Sequence, residues 1–358
     1  IEKVCSVGMP ALFVLLVICI VRSLTLGGNE FEVAVLQADG STVVQTIQSS
    51  SLDGLKYMFQ PGYVTGTGYY APAKALVDGA MVAAIDGVPV VNHITELPNF
   101  FSVLSTAGGQ MFFSLSLGMG AMITYGSYLG KKQNLEKNAL IIVIMDTLIA
   151  LMAGLAVMPG RFALDASGAV GGPKLLFITM QNVFDKMGAI GPVFGLLFYL
   201  LVVFAAISSS ISLLEVIVAH FCDKAREKGK GDKRKAYSLI AAAAVGVGCI
   251  LVCLDCLGGA GISPFNILGM NPENGLPMWS DCWLDFFDCI SEGILMPLGA
   301  LLMCLCIGWE IGPKVVDEEV TLEGQNFKLR GFFNLCVKII TPLGMLLVLY
   351  GQIKDFFF

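Results

Sequence analysis

Hydroxyls, glycines and a lone acid stand in this chain where unbroken membrane helices carry only apolar side chains. In Phe112–Ala121 (FFSLSLGMGA), Ser114 and Ser116 alternate with Gly118 and Gly120 inside an apolar stretch long enough to span a bilayer. Backbone in hydrocarbon must satisfy its own hydrogen bonds, so an interrupted helix is tolerable only where it is buried in protein or lines a polar cavity. Freed carbonyls and nearby hydroxyls offer oxygen ligands to a hard monovalent cation, and the amino end of a half-helix attracts a carboxylate. Close helix packing through small residues accounts for the glycines. It does not account for Ser114, Ser116, Thr124, Tyr125 and Ser127.

Asp146 lies in Ile144-Met145-Asp146-Thr147-Leu148 with apolar neighbours on both sides. A charge at membrane depth costs at least a few kcal/mol unless it is paired, protonated or bound to a cation, which makes it a functional candidate. The bland alternative is a neutral acid bonded to a backbone carbonyl. Further on, Phe204-Ala205-Ala206-Ile207 runs into Ser208, Ser209, Ser210 and Ser212. Any one serine can bond back to a carbonyl one turn earlier, but a cluster of hydroxyls beside the Ala205 carbonyl also suits an ion. Ser208 and Ser212 share a helical face, with Ser209 about 100° round. Glu215 follows on the Ser208 face, as a gate residue or as a partner for a basic loop. Asp285 and Asp288 sit one turn apart at a helix start, where the dipole alone favours acids. A gate role for them needs a basic partner, and none is evident in these residues.

The elements that must position these groups are membrane helices. The chain has 358 residues, 56% hydrophobic and 14% charged, with two histidines, and its mean hydropathy is +0.77. That composition excludes a soluble domain and points to a polytopic membrane protein with the lipid bilayer as its partner. Apolar runs of about 20 residues predict seven spans, at 8–26, 100–129, 138–158, 189–220, 237–255, 290–309 and 332–351. Basic residues bunch in three loops on one side: Lys131, Lys132 and Lys137, then Lys224 to Lys235, then Lys314, Lys328 and Arg330. That pattern expresses topology and not nucleic-acid binding, and it places those loops in the cytoplasm. Residues 27–99, with an acidic excess, then fall outside. The organisation expected is a membrane helix at 1–26, an extracellular loop with an insert at 27–99, and a transmembrane core at 100–358. Cysteines number eleven and lie mostly in apolar runs, where they read as small hydrophobes. Cys256, Cys282 and Cys289 fall near the outer face and could pair if that face is oxidising, with no pairing singled out by the sequence; the expectation is free thiols. The chain opens Ile1-Glu2-Lys3 without a methionine or a signal-peptide pattern, as part of a longer chain would.

Four motifs taken in order resemble the sodium:neurotransmitter symporter family, most closely its bacterial amino-acid branch. They are Phe112–Tyr128 (FFSLSLGMGAMITYGSY), Gly172–Thr179 (GPKLLFIT), Phe204–Glu215 (FAAISSSISLLE) and Leu284–Asp288. The resemblance implies an all-α polytopic fold, in which the seven spans are helices 5–11 of the inverted-repeat, broken-helix fold of the bacterial leucine transporter. The first four helices are then missing amino-terminal partners, and residues 1–358 alone do not transport.

Carried onto this sequence, the resemblance makes Phe113 an aromatic lid over a neutral, aromatic or branched amino acid. Ser114 becomes a ligand of a first sodium ion that also touches substrate. Ser116, Met119 and Leu213 would line the side-chain pocket. Asp146 stands where the family usually has an asparagine ligand of the first sodium, and its fixed charge would replace the chloride that animal members use. Ala205 through its carbonyl, with Ser208 and Ser209 through their hydroxyls, would hold a second sodium. Both sodium sites would be incomplete in this chain. Asp288 would be the outer-gate acid, and residues 161–187, with Gly172-Pro173, a cap over the vestibule.

These readings converge on a sodium-coupled symporter in the cell membrane, working by alternating access, with a homodimer left open. The alternative is another broken-helix transporter coupled to a cation or to protons. A membrane enzyme would need a nucleophile and base, and neither His93 nor His220 forms a dyad in the sequence. A receptor of seven unbroken spans would place its amino terminus outside, against the basic loops.

Overall fold

The computed structural model describes residues 2–37, 40–59, 69–73, 75–77, 80–82, 84–94, 99–130, 132–165, 175–229, 233–268, 282–322 and 326–357. Helices dominate. In order they are α1 Glu2–Leu24, α2 Ser51–Phe59, α3 Phe100–Ser114, α4 Ala121–Gly126, α5 Leu135–Leu164, α6 Met180–Asp185 and α7 Gly191–Glu227. They continue as α8 Arg234–Asp255, α9 Pro264–Leu268, α10 Trp283–Asp288, α11 Met296–Leu305, α12 Lys314–Val320, α13 Arg330–Leu335 and α14 Thr341–Phe357. Among the described residues, six stretches are long and apolar enough to cross a membrane: Val7–Leu24, Leu135–Leu164, Gly188–Glu227, Arg234–Asp255, Trp283–Glu310 and Arg330–Lys354. The remaining expected span, 100–129, is the interrupted pair α3 and α4. Helices overrun the expected limits because hydropathy marks only the part that suits hydrocarbon; α5 keeps Glu136 in its first turn and Arg161 in its last.

Two of the spans change register along their length. Trp283–Glu310 passes from α10 through the π-helical segment Cys289–Leu295 into α11 and then π-helical Cys306–Glu310. In the last span, π-helical Cys336–Ile340 lies between α13 and α14. Proline offers no N–H to the carbonyl four residues earlier, and Pro342 leaves that of Lys338 to another donor. The Trp309 indole takes that role, donating to the Lys338 carbonyl at 3.2 Å.

The chain forms two compact units, one of Ile1–Pro98 with Thr147–Ser208 and the other of Asn99–Asp146 with Ser209–Phe358. In the first unit, Leu16 and Cys19 of α1, Ala156 of α5, Met180 and Phe184 of α6, and Phe198 of α7 close into one buried cluster. This unit also holds a β-sheet where the sequence predicts a loop with an insert. Strands β1 Gly28–Leu36, β2 Thr42–Ser50, β3 Tyr69–Pro72, β4 Ala75–Val77, β5 Ala80–Val82, β6 Ala84–Ile85 and β7 Val88–Ile94 lie between α1 and α3. The main sheet has the order β2-β1-β7-β3. β1 pairs antiparallel with β2 from Gly28↔Ser50 to Leu36↔Thr42, and parallel with β7 at Ala34↔Val90 and Val35↔Val91. Alternation along β1 sends Val33 and Val35 to one buried face and Ala34 to the other. The β6–β7 turn uses Asp86 and Gly87, both at positive φ, as tight hairpins require. Side chains fasten the segment to α5: Asn29 Nδ2 donates to the Ala163 carbonyl at 2.6 Å, and the Tyr57 and Phe162 rings lie 5.3 Å apart.

In the second unit, α3 packs along α14, where Gln352 Nε2 donates to the Ser105 carbonyl at 3.1 Å. Hydrocarbon supplies no hydrophobic drive between helices, so such contacts and close packing must hold them. Phe112, Met296, Ala300 and Val348 form the buried cluster of this unit.

Candidate functional site

The break in the second expected span is real and compact. α3 begins at Asn99, whose side chain accepts the Phe101 N–H at 3.1 Å as an N-cap does. It ends in a tightened turn, with the Ser116 N–H on the Phe113 carbonyl and the Leu117 N–H on that of Phe112. Ser116 (φ +54°), Gly118 (+78°) and Gly120 (+81°) then enter the left-handed region. For serine that conformation is uncommon and marks a constrained position. α4 restarts from Gly120, whose carbonyl accepts the Thr124 N–H at 3.1 Å. The interruption leaves the last carbonyls of α3 and the first amides of α4 outside the α-helical ladder.

Ser114, the last residue of α3, meets Asp146 of α5. Its Oγ lies 2.7 Å from Oδ1 and 2.9 Å from Oδ2, so the hydroxyl can donate to either carboxylate oxygen. The two residues are 32 apart in sequence, and Asp146 is half-buried among exposed apolar neighbours. A carboxylate with an adjacent hydroxyl is a hard, anionic oxygen pair that suits an alkali cation. Among the described residues no group of three His, Cys, Asp or Glu side chains could hold a metal ion. Phe113, next to Ser114, is 55% exposed, whereas Phe112 is buried. Ser116 is half-buried in the break, and Met119 packs on the Phe112–Met296 cluster.

On α7, Ser208 Oγ donates to the Ala205 carbonyl at 2.8 Å. This is the back-bond that any helical serine can make, and it also sets two oxygens side by side. Ser209 and Leu213 present exposed positions further along the helix. Towards the basic end, Tyr125 Oη donates to the Ser212 carbonyl at 3.0 Å and Tyr128 Oη to Glu215 Oε1 at 2.8 Å. Arg234 of α8 donates to both Glu215 oxygens, each at 2.6 Å. Glu215 therefore joins the foot of the broken span to a basic residue, the partner role that the sequence allowed. Tyr128 and Arg234 border an open cavity of about 820 Å³, with Met119, Gly120, Thr124 and His220 also in its wall.

Asp288 ends α10, and Asp285 lies in its first turn. The start of α10 is held by a residue that sequence reasoning missed. Asp255, 1% exposed at the end of α8, accepts the Trp283 N–H on Oδ2 at 2.9 Å. The Trp283 indole donates to the Ile262 carbonyl at 2.7 Å, and Cys282 Sγ accepts the Asp285 N–H at 3.4 Å. An acid closing an apolar run just before a glycine-rich loop was the available signal. Burial pushes the Cys282 thiol up to about 11. The ten cysteines described, Cys256, Cys282 and Cys289 among them, are free thiols. The expected cap over the vestibule is described only in part, because Gly172-Pro173 lies outside the described residues; Phe177 there stacks on Tyr199 at 5.9 Å.

Comparison with known proteins agrees on one family. Residues 90–357 match the sequence model of the sodium:neurotransmitter symporter family. A Bacillus subtilis protein described as an uncharacterised sodium-dependent transporter, YhdH, is 28% identical over 361 residues, covering 99% of this chain and 62% of its own length. A Haemophilus influenzae sodium-dependent transporter is 30% identical over 68% of this chain and 49% of its own. Among solved structures, MhsT in complex with L-phenylalanine is similar at a TM-score of 0.67 and 28% identity, covering 97% of this chain and 61% of MhsT. The chain thus spans about three-fifths of the length of YhdH and of MhsT.

Proposed function

Since the chain belongs to the sodium:neurotransmitter symporter family, we propose that it serves sodium-coupled symport of a neutral amino acid by alternating access. The observation that carries this reading is the Ser114–Asp146 contact. It brings the hydroxyl at a helix break beside the acid of a second span, where sodium can bind between broken helix and carboxylate. Ser114 and Asp146 are the proposed first-sodium ligands of this chain; the Ala205 carbonyl, Ser208 and Ser209 are those of the second. Phe113 serves as lid over the substrate, Ser116, Met119 and Leu213 line its side-chain pocket, and Asp288 is the outer-gate acid. The apolar character of Met119 and Leu213, and the phenylalanine in the MhsT complex, support an aromatic or branched substrate.

The cytoplasmic side is the one carrying Glu215, Arg234 and the basic loops. Closure there is held by the Tyr128–Glu215–Arg234 bonds, which must part for release inward.

The test is equilibrium binding of labelled phenylalanine and leucine to the purified full-length protein in sodium or in choline. Binding should require sodium and should fall on Asp146→Ala and on Ser209→Ala. Equal binding in choline would sink the ion assignments.

A further inference from the structure

The second unit contains a backbone-to-backbone contact that the proposed transport site does not explain. A Cβ placed on Gly299 of α11 would fall on the carbonyl oxygen of Gly118, and its carbonyl carbon would lie only 3.3 Å away. Reciprocally, a Cβ placed on Gly118 would fall on the carbonyl oxygen of Met296. The bend of the broken span and one turn of α11 therefore interlock, each occupying the space that a side chain on the other would need.

Gly118 also serves its own bend, where φ is +78°, but Gly299 does nothing for its own helix. A glycine inside a helix weakens it relative to alanine, so what Gly299 gains for α11 is the approach of the Gly118 carbonyl. The surroundings make the seat rigid. π-helical Cys289–Leu295 ends directly before Met296, and Pro297 is fully buried in the next position. Phe112 of α3, with Met296, Ala300 and Val348, closes into the buried cluster on which Met119 packs. Gly118 stands two residues from Ser116 and next to Met119, so a displaced Gly118 carbonyl is passed straight to both.

We propose that Gly299 is a positioning residue for the substrate site: by seating the Gly118 carbonyl against α11 it fixes the bend that orients Ser116 and Met119. The proposal rests on the reading of that bend as the substrate site. A methyl group at Gly299 pushes the bend away without touching substrate, and misplacement on the order of 1 Å can cost on the order of 100-fold in a geometry-dependent step.

The experiment compares Gly299→Ala with Gly344→Ala, a glycine of α14 whose added Cβ meets nothing within 4 Å. Sodium-driven uptake of labelled phenylalanine by the reconstituted full-length protein is read as KM and kcat. Gly299→Ala should raise KM about tenfold, with kcat changed less than about twofold, and Gly344→Ala should match the parent. Alkylation of the thiol introduced by Met119→Cys, in a background without native cysteines, gives a second readout that does not depend on transport. Its rate should change at least about threefold with Gly299→Ala and stay constant with Gly344→Ala. If the Gly299 variant does not reach the membrane, Ala300→Val loads the same seam from the neighbouring side chain and should shift both readouts in the same direction. Unchanged KM and unchanged alkylation, or equal changes in the Gly344 control, overturn the proposal. Absence of sodium-driven uptake in the parent would instead count against the transport reading, and alkylation would still judge the seam.

Discussion

Ser114 and Asp146 carry the ion assignment at the scale of single residues. A hydrogen bond to a charged group is worth about 1.5–3 kcal/mol, and here it is partly open to its surroundings. Ser114→Ala should therefore raise the sodium concentration for half-maximal phenylalanine binding about three- to tenfold, the equivalent of about 0.7–1.4 kcal/mol. An unshifted sodium curve would remove Ser114 from the site. Cys282 offers a separate check on the start of α10. Its thiol is 4% exposed, and burial holds its pKa up at about 11, so at pH 7.5 it remains protonated and unreactive. Single-cysteine proteins should show maleimide labelling of Cys256 well ahead of Cys282; equal rates would mean that α10 does not start as described. The sequence made the candidates legible because each breaks a rule of membrane helices: an acid among aliphatics, glycines in a span, clustered hydroxyls. Asp255 was not legible in this way. It sits at a helix end, where an acid is unremarkable, and only the fold reveals that it accepts the Trp283 N–H.

At the scale of elements, the break is where local sequence and tertiary structure agree. Gly118 and Gly120 predict an interruption, and it falls at Leu115–Gly120 between α3 and α4. What sequence could not supply is the other half of the contact, since Gly299 lies in a different span and reads there only as a helix-weakening residue. The π-helical segments were equally hidden, although the prolines that accompany two of them are plain in the sequence. The sheet escaped for another reason. Its strands are two to nine residues long, and those buried on both faces lose the alternation that identifies a strand. Among these elements, the start of α10 depends on one side chain. Asp255→Ala removes the acceptor of the Trp283 N–H and should cost about 1–2 kcal/mol, seen as a lower Tm in detergent. Asp255→Asn keeps an acceptor oxygen and should recover part of that loss. An unchanged Tm for Asp255→Ala would show that the contact does not hold the helix.

For the whole molecule, composition alone announced a multi-pass membrane protein, and family membership followed from motifs spread along the chain. Substrate identity stayed out of reach for a physical reason: a pocket is a concave surface assembled from several helices, and no linear motif records how their side chains meet there. The proposed coupling has an ionic signature at this scale. With Asp146 supplying a fixed negative charge beside the first sodium, uptake should be the same in chloride and in gluconate; a strong chloride requirement would mean that the carboxylate does not play that part.

The most direct test is uptake of labelled phenylalanine into proteoliposomes holding the full-length protein, with an inward sodium gradient or with potassium in its place, for the parent and Asp146→Ala. The account predicts concentrative uptake only with the sodium gradient, and a fall of about tenfold or more in the variant, equivalent to at least about 1.4 kcal/mol. Equal uptake in potassium, or full sodium-driven uptake by Asp146→Ala, would contradict it.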